Sequence, residues 1–236
     1  MNSEAWNRIY CGSAPGPAEI WLRWNLDPIL LLGLGLLALA LGRSRTGAVA
    51  LMVLVVAFVS PLCALSTALF SARVVHHVLL VAVAAPLIAM AVPARRPGTV
   101  ALPFLISTVV LWAWHLPRAY DLALSNIGAY WVMQVSLLAS ATAFWRAVLD
   151  PNRVPGHALL FILGAYMQMA ALGALLTFAP TPLYAIHAIA PLAWGFTPLG
   201  DQQLGGLIMW VPAGLPFMAW GALVARRHWR MMESTA

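Results

Sequence analysis

The chain has 236 residues, of which 62% are apolar and 8% charged, with a mean hydropathy of +0.86. A soluble domain carries about 45–50% apolar and about 25% charged residues, so this surface calls for a lipid solvent, which excludes a disordered chain and a water-soluble globule. The net charge of +6 comes from thirteen arginines with no basic run, which excludes a nucleic-acid binder, and the lack of any lysine excludes Schiff-base and P-loop chemistry.

Residues 1–23 read as an outer N-terminal tail. They hold Glu4, Pro15, Pro17 and Glu19 and show no apolar core of a cleavable signal peptide. A membrane domain follows over 24–225. A spanning helix needs about 20 mostly apolar residues, and that ruler predicts seven spans: 28–41, 48–65, 74–92, 99–114, 128–149, 157–178 and 204–225. The first is short and needs an interfacial turn from Trp21 to Leu26. Residues 226–236 read as a cytoplasmic tail. The predicted fold is therefore an all-α, polytopic seven-helix membrane protein.

Arginine content sets the orientation. Nine arginines fall on the side of Arg43, Arg95 and Arg226, and four on the side of Arg8 and Arg118; with the acids counted, the net charges are +7 and −1. Positive residues stay in the cytoplasm, so the N-terminus is expected outside and the C-terminus inside. The proline-rich stretch 179–203 is expected on the outer surface. Gly205-Gly206 and Gly33-x-Gly35 read as close helix contacts rather than phosphate loops.

Ionisable and soft side chains within a membrane are candidates for function. Here they share one depth, within roughly 10 Å of the outer boundary at about 1.5 Å rise per residue. Cys63 lies near the outer end of the second span, His76 and His77 in the third, His115 at the end of the fourth, Met133 and Gln134 in the fifth and Met209 in the seventh. Thiolate, thioether and imidazole form the ligand set of Cu(I). Taken singly, each reads as packing or a cap: methionine fills gaps, and His115 before Pro117 can close a helix. Two cysteines are too few for a disulfide framework. His76 and His77 point about 100° apart on a helix, so one of them faces a given neighbour, whereas Arg73 and His77 share a face. No Ser-His-Asp order, paired carboxylates or HExxH points to an enzyme. Asp201 reads as an N-cap of the seventh span, or as a residue that orients His115 or meets a partner.

The segments SPLCALSTALFSARVVHHVLL (60–80), WHLPRAYDLAL (114–124), GALLTFAPTPLY (173–184) and PLGDQQLGGLIMWVPAG (198–214) resemble the CtaG family of caa3-type cytochrome c oxidase assembly factors. The resemblance implies a multi-pass protein of the bacterial plasma membrane that helps build a haem–copper oxidase, with oxidase subunits as partners, by assisting copper delivery or insertion from the outer side. It implies His77 and His115 as the histidines of the family motifs, and Asp201, Gln202 and Gln203 as the last motif. Arg73 and the Met133-Gln134 pair depart from it, standing where the family pattern carries a His and Glu-His.

Copper is thus expected on His77 and His115, with Cys63, Met133 and Met209 as soft partners and Arg73, His76, Asp201, Gln202 and Gln203 as motif or partner contacts. The competing readings are a membrane haem protein with His77 and His115 as axial ligands, a copper transporter, and a scaffold for an oxidase subunit that binds no metal.

Overall fold

A computed structural model describes residues 9–92 and 99–233. The helices in chain order are α1 (Pro28–Leu41), α2 (Arg45–Phe58), α3 (Leu62–Ala68), α4 (Phe70–Val78), a π-helical segment (Leu79–Ala84), α5 (Ala85–Ala91), α6 (Ala101–Trp114), α7 (Pro117–Ser125), α8 (Ile127–Val148), α9 (Pro155–Phe178), α10 (Pro198–Trp210) and α11 (Gly214–Glu233). Among the described residues there is no strand. Four stretches are long and apolar enough to cross a membrane: Phe70–Ala91, Ile127–Val148, Pro155–Phe178 and Pro198–Arg230. The pair α2 and α3, bent by 43°, makes a fifth if taken as one span, and α1 and α6 are shorter apolar helices.

Several boundaries differ from the sequence expectation for identifiable reasons. The third span starts at Phe70, four residues early, which draws Arg73 into the helix. The seventh starts at Pro198 because the Thr197 hydroxyl accepts from the Gly200 N–H at 2.9 Å and Pro198 opens the first turn. Asp201, Gln202 and Gln203 therefore sit inside α10 rather than leading into it. The expected loop after His115 holds α7, again opened by a proline. Residues 226–233 continue α11. Arg8, Glu4, Arg95 and Arg96, part of the charge asymmetry, lie outside the described residues.

Prolines interrupt three of the long helices, and side chains from other elements satisfy the carbonyls they release. Pro86 has no N–H to give, so neither Val81 nor Ala82 can receive a helix bond from it. Ala85 N–H instead reaches back to Leu80 in π register. The indole N–H of Trp145 donates to Val81 C=O at 2.8 Å and that of Trp220 to Ala82 C=O at 2.9 Å. At the α2–α3 bend before Pro61, Asn25 donates through its side chain to Phe58 C=O and through its backbone to Val59 C=O. At the α10–α11 break around Pro212, the Tyr166 hydroxyl donates to Trp210 C=O at 2.8 Å. Broken backbone at membrane depth persists only where such partners exist.

Helices α9 and α10 meet backbone to backbone. A Cβ on Gly206 would stand 2.6 Å from the Gly173 carbonyl oxygen, and one on Gly173 would stand 2.6 Å from that of Gly206. Gly205 receives the Phe70 ring, which a Cβ would meet at 2.5 Å. These glycines bring α10 close to both α9 and α4.

Candidate functional site

Helix α4 begins without a capping side chain of its own: Leu69 occupies its N-cap position. The cap comes from α10. The Asp201 carboxylate accepts from Phe70 N–H at 2.6 Å, from Ser71 N–H at 3.2 Å and from the Ser71 hydroxyl. A carboxylate at the positive end of a helix satisfies donors that have no intrahelical partner. Asp201 is fully buried. The expectation that it caps its own helix or orients His115 is corrected: it caps α4, and Thr197 caps α10. Gln202 is buried as a second tie, accepting from Leu183 N–H at 2.7 Å and donating to Leu176 C=O. Gln203 is half-buried.

With α4 anchored, Arg73 and His77 follow one another by a helical turn. The His77 and His115 rings lie 5.9 Å apart at 78°, and those of His76 and His77 5.8 Å apart. All three rings are buried. His115 forms the C-cap of α6, and its Nδ1 lies 2.7 Å from Leu111 C=O. A carbonyl can only accept, so Nδ1 carries the proton and Nε2 keeps a lone pair. Such a backbone bond is how ligand histidines are oriented. Neither His77 nitrogen has a hydrogen-bond partner. Two bonds of about 2 Å to one ion, with about 1 Å from each nitrogen to its ring centre, would separate two imidazoles by about 6 Å. The spacing therefore fits a single two-coordinate ion. Among the described residues, no group of three or more His, Cys, Asp or Glu converges as a metal site.

His187 looks similar in sequence but is already saturated. Its Nδ1 faces Ala68 C=O at 3.3 Å and its Nε2 the Tyr120 hydroxyl at 2.8 Å. Nδ1 must donate, so Nε2 accepts from Tyr120 and no lone pair remains. Burial, and then the nearby Arg73 charge, push the His187 pKa down to about 3. The folded protein therefore holds this ring neutral where the unfolded chain takes up a proton, below about pH 6.5. Stability contributed by His187 is complete above that value and falls as pH drops towards 3, by about 1.4 kcal/mol per unit. Thermal unfolding of the purified protein between pH 7 and pH 5 should show this loss, and His187→Gln should lower the slope by about one proton.

Arg73 is fully buried; the Tyr130 side chain partners it, and among the described residues no carboxylate forms an ion pair with it. Its guanidinium lies 5.4 Å from the centre of the Tyr130 ring. A desolvated cation–π contact contributes about 2 kcal/mol, less than the several kcal/mol that burying an ion costs. Gln134, one turn beyond Tyr130 on α8, is buried with both amide atoms unpartnered.

Cys63 requires a correction. It is bonded to Cys11 in a disulfide with a Cα–Cα distance of 5.5 Å, so it offers no thiolate to a metal. Two cysteines are too few for a framework but suffice for one tether. Closing a loop between residues 52 apart contributes about 4 kcal/mol in the chain-entropy account. The bond holds the N-terminal segment over Tyr130, whose hydroxyl lies 3.5 Å from Cys11 Sγ. Met133 is fully buried in α8, and Met209 is buried with its Cβ against Gly173 of α9.

Sequence reasoning did not find Tyr120, Tyr130 and Tyr184. Tyr184 stacks on Phe70 at 4.7 Å, and its hydroxyl donates to His115 C=O at 3.0 Å. Tyr120 lies within the quoted 114–124 segment, but nothing in its spacing indicated His187 as its partner.

The family model described as cytochrome c oxidase caa3 assembly factor matches residues 95–231, more than half of the chain. His115, Met133, Gln134, Asp201 to Gln203 and Met209 fall within that range; Cys63, Arg73, His76 and His77 precede it. No curated protein and no solved structure gives a significant match.

Proposed function

The chain belongs to the family of cytochrome c oxidase caa3 assembly factors, and from that premise we propose that it carries Cu(I) as cargo between His77 and His115 and passes it to an oxidase subunit at the outer face of the bacterial plasma membrane. The observation that carries this reading is the pair itself: a buried His77 with both nitrogens free of hydrogen bonds beside a His115 whose Nδ1 is fixed on Leu111 C=O. Neutral imidazoles need no deprotonation to bind a soft cation. Two ligands hold the ion while leaving room for an incoming ligand from the acceptor, so transfer proceeds by exchange.

In this reading the chain spans the membrane seven times, with the bent pair α2–α3 as one span and α1 and α6 as two more. Its N-terminus lies outside. The arginine distribution supports that orientation, and so does the Cys11–Cys63 bond, because disulfides persist on the oxidising side of a membrane.

Metal analysis tests the proposal. The purified protein, titrated with Cu(I) in ascorbate, should bind about one ion per chain by the two-imidazole site. His77→Ala combined with His115→Ala should abolish binding, and a strain carrying that variant should lack the copper-dependent oxidase spectrum. His157→Ala, at the exposed opposite end of the bundle, should behave as the parent. Full copper loading of the double variant would overturn the assignment.

A further inference from the structure

We propose that Arg73 forms the centre of a buried anion site between α4 and α8, and that the site takes one small soluble monoanion of the carboxylate type. The guanidinium is fully buried, the Tyr130 side chain is the one partner beside it, and among the described residues no carboxylate pairs with it. Tyr130 lies beneath it at 5.4 Å. Gln134 follows Tyr130 on the same face of α8, and its buried carboxamide is unpartnered. Arg73 on α4 and Gln134 on α8 are thus two buried donors without a charged acceptor, Gln134 also bordering an apolar groove against α1 and α2.

The groups that feel the Arg73 charge include His76, His77, His187, Tyr120 and Tyr130, imidazoles and phenols that cannot neutralise it. Asp201, the carboxylate that α10 brings to α4, has both oxygens engaged by the start of that helix. An arginine keeps its charge in a protein interior, so the missing component is a single negative charge with acceptor atoms. The planar fork of the guanidinium matches a carboxylate with two parallel N–H bonds. The amide of Gln134 can add a third donor. The site needs no copper, so it stands or falls separately from the cargo reading. Where that reading also holds, the anion would offset the charge of an ion on His77, one turn from Arg73.

The test uses the full chain in neutral detergent without metal. Sodium formate replaces sodium gluconate, a bulky carboxylate, at constant ionic strength, and the unfolding midpoint is followed. Ligand that binds the folded state alone raises the midpoint saturably. The parent should show that rise, and Arg73→Gln should show none. Gln134→Leu leaves the guanidinium in place and keeps the side-chain volume similar, so it remains informative if Arg73→Gln fails to fold; it should need about tenfold more formate, the loss of one charge-assisted hydrogen bond. Equal midpoints of the parent in formate and gluconate would overturn the proposal. So would identical formate curves for the parent and Gln134→Leu. Stabilisation by phosphatidylglycerol vesicles with no response to formate would overturn the small-anion assignment.

Discussion

Gly206→Ala is expected to prevent α9 and α10 from docking and to remove most folded protein from the membrane. The added Cβ would stand 2.6 Å from the Gly173 carbonyl oxygen, from the Thr177 nitrogen and from the Thr177 hydroxyl. Two of these are backbone atoms, so no rotamer change relieves the clash. Overpacking a well-filled interior costs about 1–3 kcal/mol where side chains can yield, and here the helices themselves must separate. Gly173→Ala should behave alike, since its Cβ would meet the Gly206 oxygen and the Trp210 nitrogen. Gly33→Ala and Gly35→Ala serve as controls: the close contact expected at this pair is corrected, since nothing described lies within 4 Å of a Cβ at either site, and alanine favours a helix by up to about 1 kcal/mol over glycine. Folded yield after extraction and resistance to denaturation in SDS would measure the contrast. Equal yield of Gly206→Ala and the parent would mean that the α9–α10 contact is looser than described.

Asp201→Ala is the second large effect. It leaves Phe70 N–H, Ser71 N–H and the Ser71 hydroxyl without an acceptor in a buried place. Each orphaned donor costs about 1–3 kcal/mol, so a loss of several kcal/mol is expected. Asp201→Asn keeps one carbonyl oxygen and loses the charge that the α4 dipole favours, and it should fall between parent and alanine. Copper binding should follow the same order, because the register of α4 places His77 beside His115. If Asp201→Asn retains parental stability and copper binding, acceptor geometry alone is sufficient and the negative charge is dispensable.

Apolar lengths in the sequence located the long apolar helices, but not α7, the bend between α2 and α3, or the start of α10 at Pro198; of the two glycine pairs expected at close contacts, Gly205-Gly206 lies at one and Gly33-x-Gly35 does not. The pairing of His77 with His115 was legible from their common depth. The partner of Asp201 was not: a carboxylate beside a helix start reads as a local cap, and the true recipient lies 130 residues away in sequence. The disulfide was missed for a related reason, since Cys11 and Cys63 are 52 residues apart and no spacing rule connects a tail to a span. The break at Pro86 was not anticipated within the third span, and which indoles fill the vacated bonds depends on packing of α8 and α11, which one-dimensional patterning does not encode.

The stretch 179–203 is held at several points. It enters from α9, where Gln202 grips Leu183, and Asp121 of α7 accepts from the backbone N–H groups of Ala185 and Ile186. Tyr184 and His187 then fasten it over His115 and Ala68 before it returns into α10, itself locked to α9 by the paired glycines. A cover pinned at so many points moves as part of the frame and transmits load instead of yielding to it. The segment from Ile9 to Arg23 is tied chiefly at its start: by the Cys11 bond, by Tyr10, which stacks on Tyr130 and donates to Asp27 at 2.8 Å, and by the Trp194 indole on Pro15 C=O. In mechanical terms the arch is the rigid lintel over His115, and the N-terminal strap is the tie bar that the Cys11–Cys63 bond fastens to the bundle.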